Sequence, residues 1–178
     1  MRIIAGDYKG RVLKTPKDDK IRPTAGKVKE ALFSMIAFYV EDAVVVDLFA
    51  GAGGLGLEAL SRGAKVCYFG GNQAECINLV KSNIDICGAG EKSRIIAGDF
   101  VKALSNIPEK ADIIILDPPY GGGFMDACFK NIAELALLND DGVIAAEHGA
   151  LEILPDIFYG FRKIKGKKYG KIRLSIYS

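Results

Sequence analysis

The 178-residue sequence has one histidine, no tryptophan and four cysteines, and no two of the cysteines form a C-x-x-C pair. Zinc sites need closely spaced thiolate and imidazole ligands, so this scarcity argues against a structural metal. No run approaches the roughly 18 apolar residues of a membrane span, and the first residues lack the apolar segment of a secretory signal. We therefore expect a cytoplasmic protein with reduced thiols, no bound metal and no membrane contact.

Net charge is also small, because 24 basic residues against 22 acidic ones leave a formal charge of +2. The charges are unevenly placed. Residues 1–30 carry nine basic and four acidic side chains, residues 160–178 carry seven basic and no acidic ones, and residues 31–159 carry eight basic and eighteen acidic ones. Two basic ends around an acidic middle indicate an anionic macromolecular partner that binds the ends.

Short apolar runs alternate with helical stretches from residue 44 onward, a pattern typical of an α/β fold with helices on both faces of a parallel sheet. The last two predicted strands have no helix between them, so we expect a mostly parallel, seven-stranded sheet. The predicted strands are 44–48, 65–69, 93–97, 112–116, 142–146, 160–167 and 171–177, and the predicted helices are 54–62, 73–87, 99–106 and 124–138.

The first 40 residues are predicted to extend this core within the same domain. Residues 3–5 and 11–13 form the strands of a short basic β-hairpin in this prediction. Thr24 then caps a helix with apolar residues at three- and four-residue steps. Residues 41–178 form the α/β core.

The sharpest local motif is a buried strand that ends at Asp47 and runs into Gly51-x-Gly53-x-x-Gly56 and a helix. This context makes an otherwise weak glycine pattern meaningful. Glycines let the backbone approach a nucleoside closely, and the helix N-terminus offers unpaired N–H groups. The motif predicts a nucleotide or nucleoside site, whereas a tight strand–helix turn without a ligand is the simpler alternative.

A second motif, Asp117-Pro118-Pro119-Tyr120, follows another hydrophobic strand. Two prolines fix an extended turn at the carboxyl edge of the sheet, where open α/β folds bind ligands. Carboxylate and carbonyl acceptors beside an aromatic ring are suited to an exocyclic base amine, since the acceptors orient the amine and the ring stacks on the base.

Together these motifs resemble the class I, S-adenosylmethionine-dependent amino-methyltransferases with a Rossmann-like fold. The resemblance extends to the RsmD family, which methylates the N2 amine of a guanine in 16S ribosomal RNA. V-K-E-A-L-F at 28–33 is part of this match, and its specific blocks are R-P-T at 22–24 and L-G-L-E-A-L-S-R-G-A at 55–64. The similarity covers nearly the whole chain, including the N-terminal segment.

This resemblance implies a role for each matching residue. Asp47, Gly51, Gly53 and Gly56 would surround the methionine part of S-adenosylmethionine. Asp99 and Phe100 would contact its adenine, although Asp99 also suits a helix N-cap. Asp117 and the Pro118 carbonyl would hold the guanine amine, and Tyr120 would stack on the base.

One departure concerns the end of the second predicted strand. The family carries an acid there for the ribose hydroxyls, whereas this chain has Gly70 at the position we assign to it, followed by Gly71. Losing a charge-assisted hydrogen bond costs about 1.5–3 kcal/mol, or about 10- to 150-fold in affinity. We therefore expect weak cofactor binding, with Asn72 or Gln73 as substitute contacts.

The basic N-terminal segment is the first candidate for RNA binding, because phosphate contacts position a nucleic acid. The candidate residues are Arg2, Lys9, Arg11, Lys14 and Arg22, with Arg62 as a further contact. The basic residues of 160–178 could bind RNA in the same way, although lysines on edge strands also prevent aggregation.

Two remaining features have simpler interpretations. His148 stands without a nearby cysteine or second histidine and is expected to be structural. Phe124 and Met125, after the glycines at 121–123, could cover the site, although apolar residues at a helix start usually belong to the core.

The sequence predicts a ribosomal RNA guanine-N2 methyltransferase. It would be a monomer whose partner is ribosomal RNA or a small-subunit particle. The alternatives are a DNA adenine-N6 or cytosine-N4 methyltransferase and a catalytically weak RNA-binding or assembly protein.

Overall fold

Eight strands form one mixed sheet in the computed structural model, which describes residues 1–16, 26–119 and 123–178. The strands are β1 (Val44–Asp47), β2 (Val66–Gly71), β3 (Ser93–Ala97), β4 (Ala111–Leu116), β5 (Leu138–Gly149), β6 (Ile157–Phe158), β7 (Phe161–Tyr169) and β8 (Ile172–Tyr177). Their order in the sheet is β3-β2-β1-β4-β5-β8-β7-β6.

The sheet is parallel from β3 to β5 and antiparallel from β5 to β6. The expectation of an α/β fold with a mostly parallel sheet is confirmed, since four of the seven strand pairings among the described residues are parallel. The expectation of seven strands is wrong because the sheet has eight. Strand β6 has two residues, too few to show an alternating pattern in the sequence. The apolar runs Val44–Val46 of β1 and Ile113–Leu116 of β4 reflect burial on both faces, as expected for central parallel strands.

Five α-helices cover the two faces of the sheet among the described residues. They are α1 (Gly26–Met35), α2 (Gly54–Ser61), α3 (Ala74–Cys87), α4 (Phe100–Ser105) and α5 (Phe124–Glu134). Apolar residues of α1, α2 and α3 pack on one face, and those of α4 and α5 pack on the other. None of these helices is both long and apolar enough to cross a membrane.

The helix prediction is wrong at one boundary, the end of α5. The predicted helix 124–138 stops at Glu134 because β5 already begins at Leu138, with Ala136 at φ 47° in the turn between them. Strand β5 is therefore twelve residues long and not five. Its first half carries the exposed Asp140 and Asp141, which hide the strand pattern in the sequence.

The N-terminal segment is a loop that pairs antiparallel over a shorter stretch than the predicted hairpin. A single β-bridge joins Arg2 and Val12, and the amides of Ile3 and Leu13 donate to the carbonyls of Arg11 and Met1 at 3.0 and 2.9 Å. The amides of Ile4 and Ala5 donate to the Glu58 carboxylate of α2, at 2.8 and 3.0 Å, and not to a neighbouring strand. Thr24, the predicted cap of the first helix, lies outside the described residues.

The loop still belongs to the main core. Ile3 and Leu13 are buried in the same apolar cluster as Leu32 of α1 and Val45 of β1. The N-terminal residues and the sheet therefore share one hydrophobic core, which fixes the loop against α2.

Candidate active site

A cavity of about 510 Å³ lies at the carboxyl edge of the parallel strands. This is the edge where open α/β sheets bind ligands. Ends or following turns of β1, β2, β3, β4 and β5 all contribute to it. The lining includes Met1, Pro16, Lys29, Asp47, Leu48, Phe49, Ala50, Gly51, Ala52, Gly54, Leu55, Gly70, Gly71, Asn72, Gln73, Cys76, Gly98, Asp99, Phe100, Asp117, Pro118, Pro119, Phe124, Glu147 and Ile172.

Asp47 ends β1 at the floor of the cavity, where its side chain is buried. Its Oδ2 accepts a 2.8 Å hydrogen bond from the Gly56 backbone N–H in the first turn of α2. Burial, against the lowering effect of that hydrogen bond and with a smaller contribution from the charge of Asp117, raises the pKa of Asp47 to about 7. Asp47 therefore fixes the glycine turn and titrates near neutral pH.

The glycines of this turn divide into two groups. Gly51, at φ 54°, and Gly54 line the cavity. Gly53 and Gly56, both expected at the cofactor, are not among the lining residues. Gly53 adopts φ 79° just before α2 begins, a conformation that favours glycine. A side chain at Gly56 would collide with Phe69 of β2, so this glycine allows α2 to pack closely on the sheet.

The end of β2 corrects the position that we assigned to the missing acid. A Cβ at Gly70 would lie 2.5 Å from the backbone oxygen of Leu48, so no side chain fits there without a backbone shift. A Cβ at Gly71 would meet only Ile77 Cγ1, at 3.8 Å, which is ordinary contact. Gly71, and not Gly70, is therefore the position at which a carboxylate could be placed. Because Gly70 and Gly71 are both glycines, β2 still ends without an acid.

Asn72 and Gln73 follow directly after Gly71. Both are exposed and both line the cavity. Gln73 also precedes α3 and accepts a 3.8 Å contact from the Cys76 thiol through Oε1. Both amides therefore lie at the strand end that lacks the carboxylate, and their role as substitute contacts stays a prediction.

Asp99 caps α4, as the N-cap interpretation expected, because its Oδ1 accepts a 2.9 Å hydrogen bond from the Lys102 N–H. It lines the cavity as well. Beside it, Phe49, Phe100 and Phe124 form a triangle of rings with centroids 5.9 to 6.1 Å apart. All three rings line the cavity, which gives it an apolar wall between β1, α4 and α5.

Asp117 and Pro118 lie where expected, past the end of β4 and in the cavity lining. Tyr120, the predicted stacking residue, lies outside the described residues. Phe124 follows Gly123, which has φ 64°, and joins the aromatic wall. It lines the cavity, whereas the adjacent Met125 is buried in the core.

Two polar residues of the lining were not predicted as site residues. Glu147, near the end of β5, is 3% exposed, and Lys29 of α1 is 1% exposed. Glu147 could have been found in the sequence, because it directly follows the predicted strand 142–146 as Asp117 follows the predicted strand 112–116. Lys29 could not, because a helical lysine gives no sign that it is buried.

The buried ammonium of Lys29 is held by Glu58, at 2.9 Å, and by the Arg2 carbonyl, at 2.7 Å. Burial lowers the pKa of Lys29, and Glu58 opposes this shift. Burial would raise the pKa of Glu58, but hydrogen bonds from the Ile4 amide and Lys29 hold it below its ordinary value. This ion pair joins α1, α2 and the N-terminal loop beside the cavity.

Most of the predicted RNA-contacting residues of the N-terminal loop are at the surface. Arg2, Lys9, Arg11 and Lys14 are exposed, whereas Arg22 lies outside the described residues. Arg11 also donates to the Ile86 carbonyl at the end of α3, so part of its guanidinium holds the loop in place.

Arg62 differs from these residues because it is bonded within the fold. Its Nε donates to Glu58 at 2.9 Å, and its guanidinium lies 4.9 Å from the Phe33 ring centre. One of its five N–H donors is thus used within the fold, and a phosphate contact through the others stays a prediction.

Some of the basic residues of 160–178 also form hydrogen bonds within the fold. Lys163 binds the Leu154 carbonyl and Asp156, and Lys165 binds the Met35 carbonyl at the end of α1. Lys167, Lys168 and Lys171 are exposed on β7 and the turn that follows it.

His148 is structural, as expected. It is buried, its Nε2 lies 2.9 Å from Ser175 Oγ and its Nδ1 lies 3.2 Å from the Gly149 oxygen. Burial lowers the pKa of His148, so the neutral ring is favoured at neutral pH. Within the described residues, no three His, Cys, Asp or Glu side chains are grouped as metal ligands would be.

Comparison with known proteins gives consistent matches over the full chain. The family model described as "Conserved hypothetical protein 95" matches residues 1–178. A Bacillus subtilis (strain 168) relative named "Putative rRNA methyltransferase YlbH" is 37% identical, with 99% of this chain and 98% of the relative covered. "Ribosomal RNA small subunit methyltransferase D" of Escherichia coli (strain K12) is 30% identical, with 99% and 89% covered. A solved structure titled "Putative methyltransferase yhhF from Escherichia coli" has a TM-score of 0.88 and 29% identity, with 99% and 96% covered.

Proposed function

The chain belongs to the family described as Conserved hypothetical protein 95, the RsmD family, and from this premise we propose that it methylates the N2 amine of a guanine in 16S ribosomal RNA. The methyl donor in this proposal is S-adenosylmethionine. The observation that carries the proposal is that one cavity contains both the glycine turn after β1 and the Asp117-Pro118 acceptor pair after β4. The site for the methyl donor and the site for the guanine amine would thus adjoin.

The cavity residues fit this cofactor. A volume of about 510 Å³ is within the usual range for small-molecule sites. Gly51 and Gly54 bring the backbone of the turn to the cavity, with the Met1 side chain packed over Gly54, and the Asp47 carboxylate below them suits a cationic group. The apolar wall around Phe100 provides a flat surface for adenine beside Asp99.

When bound, S-adenosylmethionine supplies an electrophilic methyl group on a sulfonium. Asp117 and the Pro118 carbonyl accept hydrogen bonds from the guanine amine and aim its lone pair at that methyl carbon. The cofactor would supply its methyl to N2 and keep the electron pair of the broken carbon–sulfur bond on sulfur, and one N2 proton would leave past Asp117 to water. Positioning supplies much of the acceleration, since no strong base is needed.

RNA binding is assigned to the exposed basic residues of the N-terminal loop, above all Lys9 and Lys14. Asn83 anchors this loop to the site, because it binds both the N–H and the carbonyl of Lys14 and also the Ala52 carbonyl in the glycine turn. RNA held by the loop would therefore lie next to the cofactor turn. The exposed lysines of β7 form a second RNA-binding surface in this proposal.

The test is transfer of a radiolabelled methyl group to three substrates: undermethylated small ribosomal subunits, free 16S RNA and double-stranded DNA. We expect label in RNA, recovered as N2-methylguanosine after digestion. Asp117→Ala should lose at least 100-fold in kcat and keep its RNA affinity, since it removes a hydrogen bond to the reacting amine. Transfer to DNA alone would favour the DNA methyltransferase alternative, and no transfer at saturating cofactor would favour an assembly protein.

A further inference from the structure

Glu147 is a buried carboxylate on the strand adjacent to the one that precedes Asp117. β4 and β5 pair in parallel, with Leu116 opposite Ala146. Asp117 and Glu147 directly follow this pair, so their backbones lie side by side in the sheet, about 4.8 Å apart. Glu147 is 3% exposed, and both side chains line the cavity.

Asp47 and Glu147 point toward the same face of the sheet, and Asp117 lies beside them. Side chains alternate along a strand, and Val45 and Ala145 pack on the face covered by α1, α2 and α3. Asp47 and Glu147 come two residues after these positions within their strands, so they share that face. Asp117, in the turn after β4, lines the same cavity, and its charge raises the pKa of Asp47. Three acids at or near the ends of three neighbouring strands, β1, β4 and β5, thus line one cavity.

We propose that Glu147 is a specificity-determining residue that accepts a hydrogen bond from guanine N1–H while Asp117 accepts from the N2 amine. This inference rests on the proposed function. An ionised carboxylate only accepts hydrogen bonds, and guanine presents two adjacent donors, N1–H and the N2 amine. Two neighbouring carboxylates match that edge.

The same arrangement excludes the other bases that carry an exocyclic amine. In adenine and cytosine the ring nitrogen beside the amine is an acceptor, which would face the acceptor oxygens of Glu147. Such a mismatch of buried acceptors is strongly unfavourable and gives specificity by repulsion. The row of acids also repels phosphate, so the neutral base edge, and not the RNA backbone, is favoured in this part of the cavity.

The test uses a base analogue that keeps the reactive amine and changes only the neighbouring edge. The methylated guanine is first mapped by mass spectrometry in wild-type reactions. RNA fragments with guanine or 2-aminopurine at that position are then compared, because 2-aminopurine has the C2 amine but its N1 is an acceptor. We expect wild-type kcat/KM to be about 10- to 150-fold lower for 2-aminopurine, the value of one charge-assisted hydrogen bond.

The Glu147→Gln variant separates recognition from folding. Glutamine can donate to the N1 of 2-aminopurine, so we expect the guanine to 2-aminopurine ratio of kcat/KM to fall at least tenfold. A purely structural role would lower both rates equally and leave this ratio unchanged. Glu152→Gln is the matched control, because Glu152 is an exposed carboxylate five residues further along the chain, and it should keep the wild-type ratio.

The outcomes distinguish this inference from the proposed function. No transfer by the wild-type protein to any RNA would contradict the proposed function itself. Transfer to guanine with an unaltered ratio in Glu147→Gln would overturn the role of Glu147 alone. If that variant does not fold, the wild-type comparison decides, since equal rates on guanine and 2-aminopurine would also overturn the inference.

Discussion

Introducing a carboxylate at the end of β2 should strengthen cofactor binding, and the structure selects the position. Gly71 has no positive φ, and a Cβ there would meet only Ile77, at 3.8 Å. Its backbone oxygen already accepts from the Gly98 N–H and would keep that bond. Gly71→Glu therefore adds a side chain at the edge of the cavity without requiring the backbone to move.

The expected gain follows from one charge-assisted hydrogen bond to the ribose. Such a bond contributes about 1.5–3 kcal/mol, which is about a 10- to 150-fold lower Kd. Titration calorimetry with S-adenosylhomocysteine measures the gain, and Gly71→Gln should show a smaller one because it lacks the charge. A 2′-deoxyribose analogue of the ligand should lose most of the improvement.

The neighbouring glycine provides the control. Gly70→Ala places a Cβ 2.5 Å from the Leu48 oxygen, so it should lower the melting temperature and bring no gain in affinity. An unchanged Kd for a well-folded Gly71→Glu variant would refute the reasoning. It would show that the ribose is not held at this strand end, or that Asn72 and Gln73 already satisfy its hydroxyls.

Three further predictions concern charge. The pKa of Asp47 is raised from 3.8 to about 7 in the folded protein, so the native state binds more protons than the unfolded state between these values. The free energy of unfolding should therefore fall as the pH rises from 4 to 7, by at most about 4 kcal/mol. Urea unfolding of Asp47→Asn should show a flatter dependence on pH, and an equally steep one would contradict this prediction. Glu58→Ala leaves Lys29 buried without its carboxylate and should cost about 3–5 kcal/mol in urea unfolding, whereas a loss below 1 kcal/mol would show that the lysine finds water. Replacing both Lys9 and Lys14 with alanine should weaken RNA binding and reduce the slope of log K against log salt by about 1.4 to 1.8, and an unchanged slope would place the RNA elsewhere.

Much of the site was predictable because its signals are local in the chain. A buried strand that runs into closely spaced glycines shows both the turn and the position of Asp47. The prolines after Asp117 show where the next strand ends. Carboxyl ends of parallel strands meet at one edge of a sheet, so these two segments, about 65 residues apart, were expected to adjoin, and they line one cavity.

Other roles required the tertiary structure. Gly56 fits the cofactor motif, yet its space is taken by Phe69 of β2. Arg62 looks like a surface cation, yet Glu58 binds it. Ile4 and Ala5 were predicted to lie in a strand, yet their backbone amides donate to the Glu58 carboxylate. In each case the deciding atom belongs to a residue distant in sequence or on a helix whose packing the sequence does not state.

The sequence by itself determined the alternation of strands and helices from β1 to β5, the glycine turn and the acceptor pair, because periodicity and backbone restriction act over a few residues. The tertiary structure decided which of Gly70 and Gly71 has room for a side chain, and it placed Glu147 beside Asp117. Both results depend on the register between neighbouring strands. A shift of one residue turns every side chain to the opposite face, and that register is set by the packing of the whole sheet.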